Sequence, residues 1–144
     1  MLASIVLMLQ NHLDGQAPAF GVVGSAFSVA AALKDGIRAG RQAYVVPLTS
    51  SFSNATLDLG PLSQQGRFEF GVVVGLRVVD DAKGEKGAAL MDSATKTLCK
   101  CLLGKVATPD SDRIELTRAE PIGVKENAVW MLYRFKTTVR VHQE

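Results

Sequence analysis

The sequence predicts an α+β fold: a two-layer domain whose mostly antiparallel sheet has a long central strand and a C-terminal hairpin, covered by helices on one face. Three stretches carry this expectation. From Arg67 to Val79 the residues alternate. Phe68, Phe70, Val72, Val74, Leu76 and Val78 share one side, while Arg67, Glu69, Gly71, Val73, Gly75 and Arg77 share the other. Period two marks a strand with a buried face. From Ala88 to Leu103 the period changes. Met91, Ala94, Leu98, Cys101 and Leu102 recur at three- and four-residue steps opposite Asp92, Lys96 and Lys100, an amphipathic helix. From Ala128 to Val141 alternation returns: Val129, Met131, Tyr133, Phe135, Thr137, Val139 and Val141 face one way, and Trp130, Leu132, Arg134, Lys136, Thr138, Arg140 and His142 the other. A helix able to cover the apolar faces of two long strands makes a two-layer domain.

The remaining elements follow in chain order. Leu2, Ile5, Val6, Leu9 and Leu13 lie on one helical face. No Lys or Arg precedes this apolar run, which is too short to span a bilayer, so we read a short packed helix rather than a signal sequence, and a cytoplasmic chain. Asp14 to Pro18 is a turn, and Phe20 to Val23 a short strand. Ser25 offers an N-cap for a second helix through Phe27, Ala30, Ala31, Leu33 and Lys34, closed by Gly36 and Gly40. Ala43 to Leu48 reads as a short strand, which Pro47 restricts to an edge or a strand end. Residues 49–66 lack periodicity and form a long loop, of the kind that is commonly functional or mobile. Asp80 to Gly87 is a solvated turn, its carboxylates interrupted by Lys83 and Lys86. Gly104 ends the major helix, and Lys105 to Asp112 is a loop. The final hairpin has arms at Arg113–Pro121 and Ala128–Val141 about a turn at Gly123–Asn127.

Composition bounds the function. A chain of 144 residues makes one domain, 1–144, and 47% hydrophobic with 21% charged residues is globular material. A net charge of +2, from 16 basic and 14 acidic residues, predicts no bulk affinity for nucleic acid. Cys99 and Cys101 lie two apart on a helix, pointing about 200° around the axis from one another, so they neither bridge nor share a metal. They read as small core residues in a reducing compartment. His12 and His142 sit near opposite ends of the sequence. With no metal-ligand spacing, no Gly-x-Ser-x-Gly elbow and no phosphate loop, we expect no enzyme, no cofactor and no metal. The glycines of Gly71-x-x-x-Gly75 fall inside a strand, where they permit close approach or bending.

The candidate functional residues are therefore surface ones. Phe52, Leu57, Leu59 and Leu62 make the long loop more apolar than solvent requires, so it either meets a partner or folds back on the core. On the sheet face away from the helix, Val73, Trp130 and Leu132 stand beside Arg67, Arg77, Arg134, Lys136 and Arg140. Mixed faces of this kind often meet another subunit.

The order of these elements carries a resemblance. A helical region leads to a strand ending Val45-Val46-Pro47-Leu48, then a polar loop, then Phe68-Glu69-Phe70-Gly71-Val72-Val73-Val74 running into Val78-Val79-Asp80-Asp81-Ala82-Lys83-Gly84. A helix, a loop and a hairpin whose last strand holds Trp130 and Tyr133 complete the order. This resembles the tail terminator (tail completion) proteins of long-tailed bacteriophages over nearly the whole chain, most closely over Tyr44–Leu103 and Val129–Val141. The resemblance implies a structural virion protein of the tail and neck, assembled in the host cytoplasm. Its protomers would form a homo-oligomeric ring, usually a hexamer, that caps the tail tube protein, stops its polymerisation and offers a surface for the head–tail connector or stopper protein. It implies no catalytic residue and no membrane partner. DNA would pass only transiently through the lumen, where the five basic residues are candidate channel-facing groups; the competing reading is that they pair with carboxylates between subunits or face water. Two other functions fit the same residues: a head–tail stopper or other neck ring protein, and a small dimeric α+β ligand-binding domain.

Overall fold

A computed structural model describes residues 1–10, 20, 22–34, 36, 40–52, 63–78, 85–125 and 128–142. Five strands form one sheet in the order β1-β2-β3-β5-β4: β1 (Val22–Ser25), β2 (Arg41–Phe52), β3 (Ser63–Arg77), β4 (Glu115–Lys125) and β5 (Ala128–His142). Only β1 runs parallel to its neighbour β2; the other pairs are antiparallel. The helices are α1 (Leu2–Gln10), α2 (Val29–Lys34) and α3 (Glu85–Leu102). The fold is thus α+β with a mostly antiparallel, open sheet, as its alternating stretches predict.

The centre of the molecule is the β3–β5 pair, in continuous register from Ser63↔His142 to Arg77↔Ala128. Phe70, Val72, Val74 and Leu76 of β3 and Tyr133 and Phe135 of β5 are fully buried on one face with Ala43 and Val45 of β2. Ala94, Leu98, Cys101 and Leu102 of α3, and Ile5 and Leu9 of α1, close over them. The Phe70 and Phe135 rings stack at 5.3 Å. Asp92, Lys96 and Lys100 face solvent, as helical spacing requires. Polar ties fix the helix over the sheet. Arg41 Nη2 donates to Ser93 Oγ at 2.9 Å. Thr95 Oγ1 donates to Met91 O at 2.9 Å, leaving its lone pairs to accept from Tyr133 OH at 2.7 Å. Burial pushes both the Tyr133 phenol and the Cys101 thiol upward, the latter to about 11, so Cys101 is an apolar core group.

Gly104 stops α3 in a left-handed conformation (φ 74°), which a β-carbon would strain, and its N–H reaches Ile114 O at 2.9 Å. Ile114 N returns to Lys105 O at 2.8 Å. The segment between them lies along β5: Asp112 N donates to Thr138 O (2.7 Å), Arg140 N to Asp110 O (3.2 Å) and Thr137 Oγ1 to Asp112 O (2.8 Å).

Several boundaries depart from expectation, each for a tertiary reason. β2 is longer than Ala43–Leu48 because β3 supplies hydrogen-bond partners on both sides of Pro47. Pro47 itself pairs with Phe70 beyond the end of β1, just before the register shifts, so its missing N–H costs no bond to β1. Part of the expected loop 49–66 is strand: residues 49–52 extend β2, with Ser50, Ser51 and Phe52 paired to Phe68, Arg67 and Gly66, and residues 63–66 begin β3, paired with β5. Leu57, Leu59 and Leu62 lie outside the described residues, as do Leu13, His12 and most of the Asp80–Gly87 turn. β4 runs past Pro121 to Lys125 by absorbing two register shifts, so Gly123–Lys125, expected in the turn, belong to the strand. The second helix is capped by Ser28, whose Oγ accepts from Ala31 N at 3.1 Å, because Ser25 is already the last residue of β1.

Candidate functional surface

The sheet face away from α1 and α3 has two unlike halves. Where β1 ends, the chain crosses to this side, and α2 settles on it. Val46 and Val73 are fully buried there, Ala128 likewise, with Ala32, Trp130 and Leu132 almost so; Ala26, Val29, Leu33, Tyr44 and Leu48 pack around them. The expectation that Val73, Trp130 and Leu132 form an open interface is thereby corrected: they are a second core inside the chain, and Trp130 is only 2% exposed. Alternation alone could not show this, because a strand buried on both faces and one awaiting a partner read alike. Gly75 makes room for the indole, since a β-carbon there would stand 2.6 Å from the Trp130 ring. Trp130 Nε1 is buried without a hydrogen-bond partner among the described residues, where ring packing and not its N–H seats this side chain. Val29, Ala32 and Leu33 face inward, which turns Phe27, Ala30 and Ala31 outward.

The other half of this face is charged and largely self-paired. Arg134 Nε donates to Glu120 Oε1 at 2.9 Å, and Arg118 Nε stands 3.4 Å from Glu120 Oε2. Lys136 Nζ meets Glu115 Oε2 at 3.4 Å, and Arg67 Nη2 meets Glu69 Oε1 at 3.0 Å. Arg140 Nη1 donates to Ser63 Oγ at 2.9 Å. Arg77 stands apart from these residues, exposed at the opposite end of β3 where it pairs in register with Ala128 of the apolar half, and it has no carboxylate partner among the described residues. Three of the five basic candidates are therefore paired within their own chain, an arrangement that leaves less positive field for a passing phosphate backbone.

The hydrogen bond from Arg134, with the charge of Arg118 beside it, lowers the Glu120 carboxyl below its ordinary value of 4.5. A depressed acid stabilises the fold fully above the unfolded value and loses that contribution as pH falls through the folded one. Glu120 is exposed, so the effect is small. Glu120→Gln is expected to leave the melting temperature near pH 7 almost unchanged and to flatten the acid-side decline below the ordinary value of 4.5, as measured by thermal scans across pH. An unaltered acid limb would mean that the pair does not form.

At the far ends of β2 and β3, the Phe52 ring rests over Gly66 and remains 55% exposed. The shallow depression beside it is lined by Ser51, Phe52, Gln65, Gly66, Arg67 and Thr138, which include no paired acid and base. Among the described residues no group of three or more His, Cys, Asp or Glu side chains could hold a metal ion. No helix among them is long and apolar enough to cross a membrane.

Comparison with known proteins gives this surface its context. A solved chain from the structure "Virion of native gene transfer agent (GTA) particle" superposes with a TM-score of 0.54 and 18% sequence identity, covering 98% of this chain and 95% of that one; the likeness is one of fold. No curated protein matches the sequence. The sequence pattern of the family described as "Phage tail terminator protein" matches residues 6–144, from the first helix through the final strand. The chain belongs to the phage tail terminator family and is a structural tail protein of the virion.

Proposed function

We propose that this protein closes into a ring on the end of the phage tail tube, stops tube polymerisation there and presents a surface to the head–tail connector, without catalysis. The family match over residues 6–144 carries the reading. The surface agrees with it, since apolar side chains are exposed at several separate places, Phe27, Phe52 and Val124 among them, and a closed ring needs two different contact patches per protomer. We take the ring to be a hexamer.

Adding the protein to polymerising tail-tube subunits tests the reading directly. Tubes should stop at shorter, narrower lengths, with added density at one end in electron micrographs. Tubes that elongate unchanged past bound protein would overturn the terminator role.

The ring's lumen is proposed to carry Arg77 as its exposed cation, with Arg67, Arg134, Lys136 and Arg140 held in pairs or hydrogen bonds that soften their contact with DNA. Arg77→Glu is expected to preserve folding and capping while lowering DNA ejection or infectivity. Unchanged infectivity with intact rings would remove Arg77 from the channel.

A further inference from the structure

We infer that neighbouring copies of this chain join through Phe27 and the outer side of α2 on one protomer and the Ile122–Val124 end of β4 on the next. The inference rests on the ring reading and specifies the contact that closes it.

The two ends of the sheet are built differently. At the β1 end, no Asp, Glu, Lys, Arg or His occurs from Val22 to Leu33. Edge strands of soluble proteins are usually blunted by shortness, charge, proline or a bulge, and Val22–Ser25 relies on its four-residue length alone. The adjoining α2 is apolar on both sides. Val29, Ala32 and Leu33 cover the second core, whereas Ala30 and Ala31 are exposed and Phe27, just before the helix, is 87% exposed. A short helix apolar all round is ordinarily buried on both sides.

The opposite end is defended against strand addition. β4 carries two register shifts, Pro121 and Arg118, so another strand could not extend the ladder along it. Its tip nonetheless displays Ile122 at 37% and Val124 at 77% exposure. Pro121, Ile122, Gly123 and Val124 are uncharged, so this patch and the Phe27 patch match electrostatically, and joining them buries no unpaired charge.

The occupant follows from where these patches lie. The cross-sheet row Val22–Gln42–Gly75–Trp130–Gly123 runs from one to the other, spanning four strand spacings, or roughly 19 Å. Patches at opposite ends of one sheet are each satisfied when copies follow head to tail, whereas a two-fold dimer pairs both only within a single interface of two antiparallel protomers and yields no multimer beyond two. The contact is one of side-chain packing, with Phe27 as the aromatic anchor.

Site-directed cross-linking in assembled tails tests this. Tails are assembled with the Phe27→Cys, Val124→Cys protein in a Cys99→Ser background, then oxidised. A ladder of disulfide-linked multimers is expected, with neither single cysteine variant linking beyond a dimer. In parallel, Phe27→Asp and Val124→Asp, both at exposed positions, should each lower the yield of capped tails by more than about tenfold while circular dichroism stays that of the wild type. Capped tails of normal length that give no ladder, or that form with both Asp variants, would overturn the inference and leave the ring intact. Failure of the wild-type protein itself to cap tubes would overturn the ring reading and this contact with it.

Discussion

Replacing Leu98 with aspartate is expected to cost on the order of 3 kcal/mol or more, a large share of the roughly 5–15 kcal/mol that holds an ordinary domain folded. Leu98 is wholly buried beneath the sheet, within the cluster formed by α3, α1 and the inner faces of β2, β3 and β5. The variant loses the transfer free energy of the leucine, about 2 kcal/mol, and adds a carboxyl group with no partner in an apolar surround. Its pH dependence separates these costs. A buried carboxyl has a raised folded pKa, so the folded state holds a proton that the unfolded state has released, and stability falls as pH rises through the ordinary aspartate range. Leu98→Asn carries the polarity without the charge and should show no such slope. Urea midpoints at several pH values measure both. A wild-type midpoint for Leu98→Asp would mean that α3 does not cover the sheet.

Gly75→Ala is expected to destabilise the chain by about 1–3 kcal/mol, although alanine is intrinsically the better strand residue by roughly 0.5–1 kcal/mol. Sterics win because the new β-carbon would stand 2.6 Å from one indole carbon and 2.8 Å from another. Those atoms belong to a rigid ring that is itself buried under α2, and not to the free end of a flexible side chain. Displacing the indole should shift the emission of this single tryptophan to the red. Trp130→Leu in the same chain should relieve the clash, so the double variant is less damaged than the sum of the two single ones. Additivity within about 0.5 kcal/mol would show that the glycine is not there to seat the indole.

The residues that face α3 were legible because one strong period repeats along each element. Phe70, Val72, Val74, Leu76, Ala94, Leu98, Tyr133 and Phe135 all occupy the core that alternation and helical spacing assign them. Gly104 was equally readable as a helix stop, since the requirement there is local backbone geometry. The candidate surface was far less legible. Phe27 is the most exposed large hydrophobic among the described residues, and nothing in the spacing around it shows which side of its short helix meets the sheet.

What the sequence determined by itself was the identity of the long elements and the side of each that meets α3, because side-chain period is a property of one segment at a time. Only the tertiary structure decided that α2 would lie across the reverse face, sealing Val73, Trp130 and Leu132 and turning Phe27, Ala30 and Ala31 outward. The physical reason is that an apolar position states a need for cover without stating what supplies it. A six-residue helix has too few turns to announce its direction, and the choice falls to whichever placement buries the Trp130 ring.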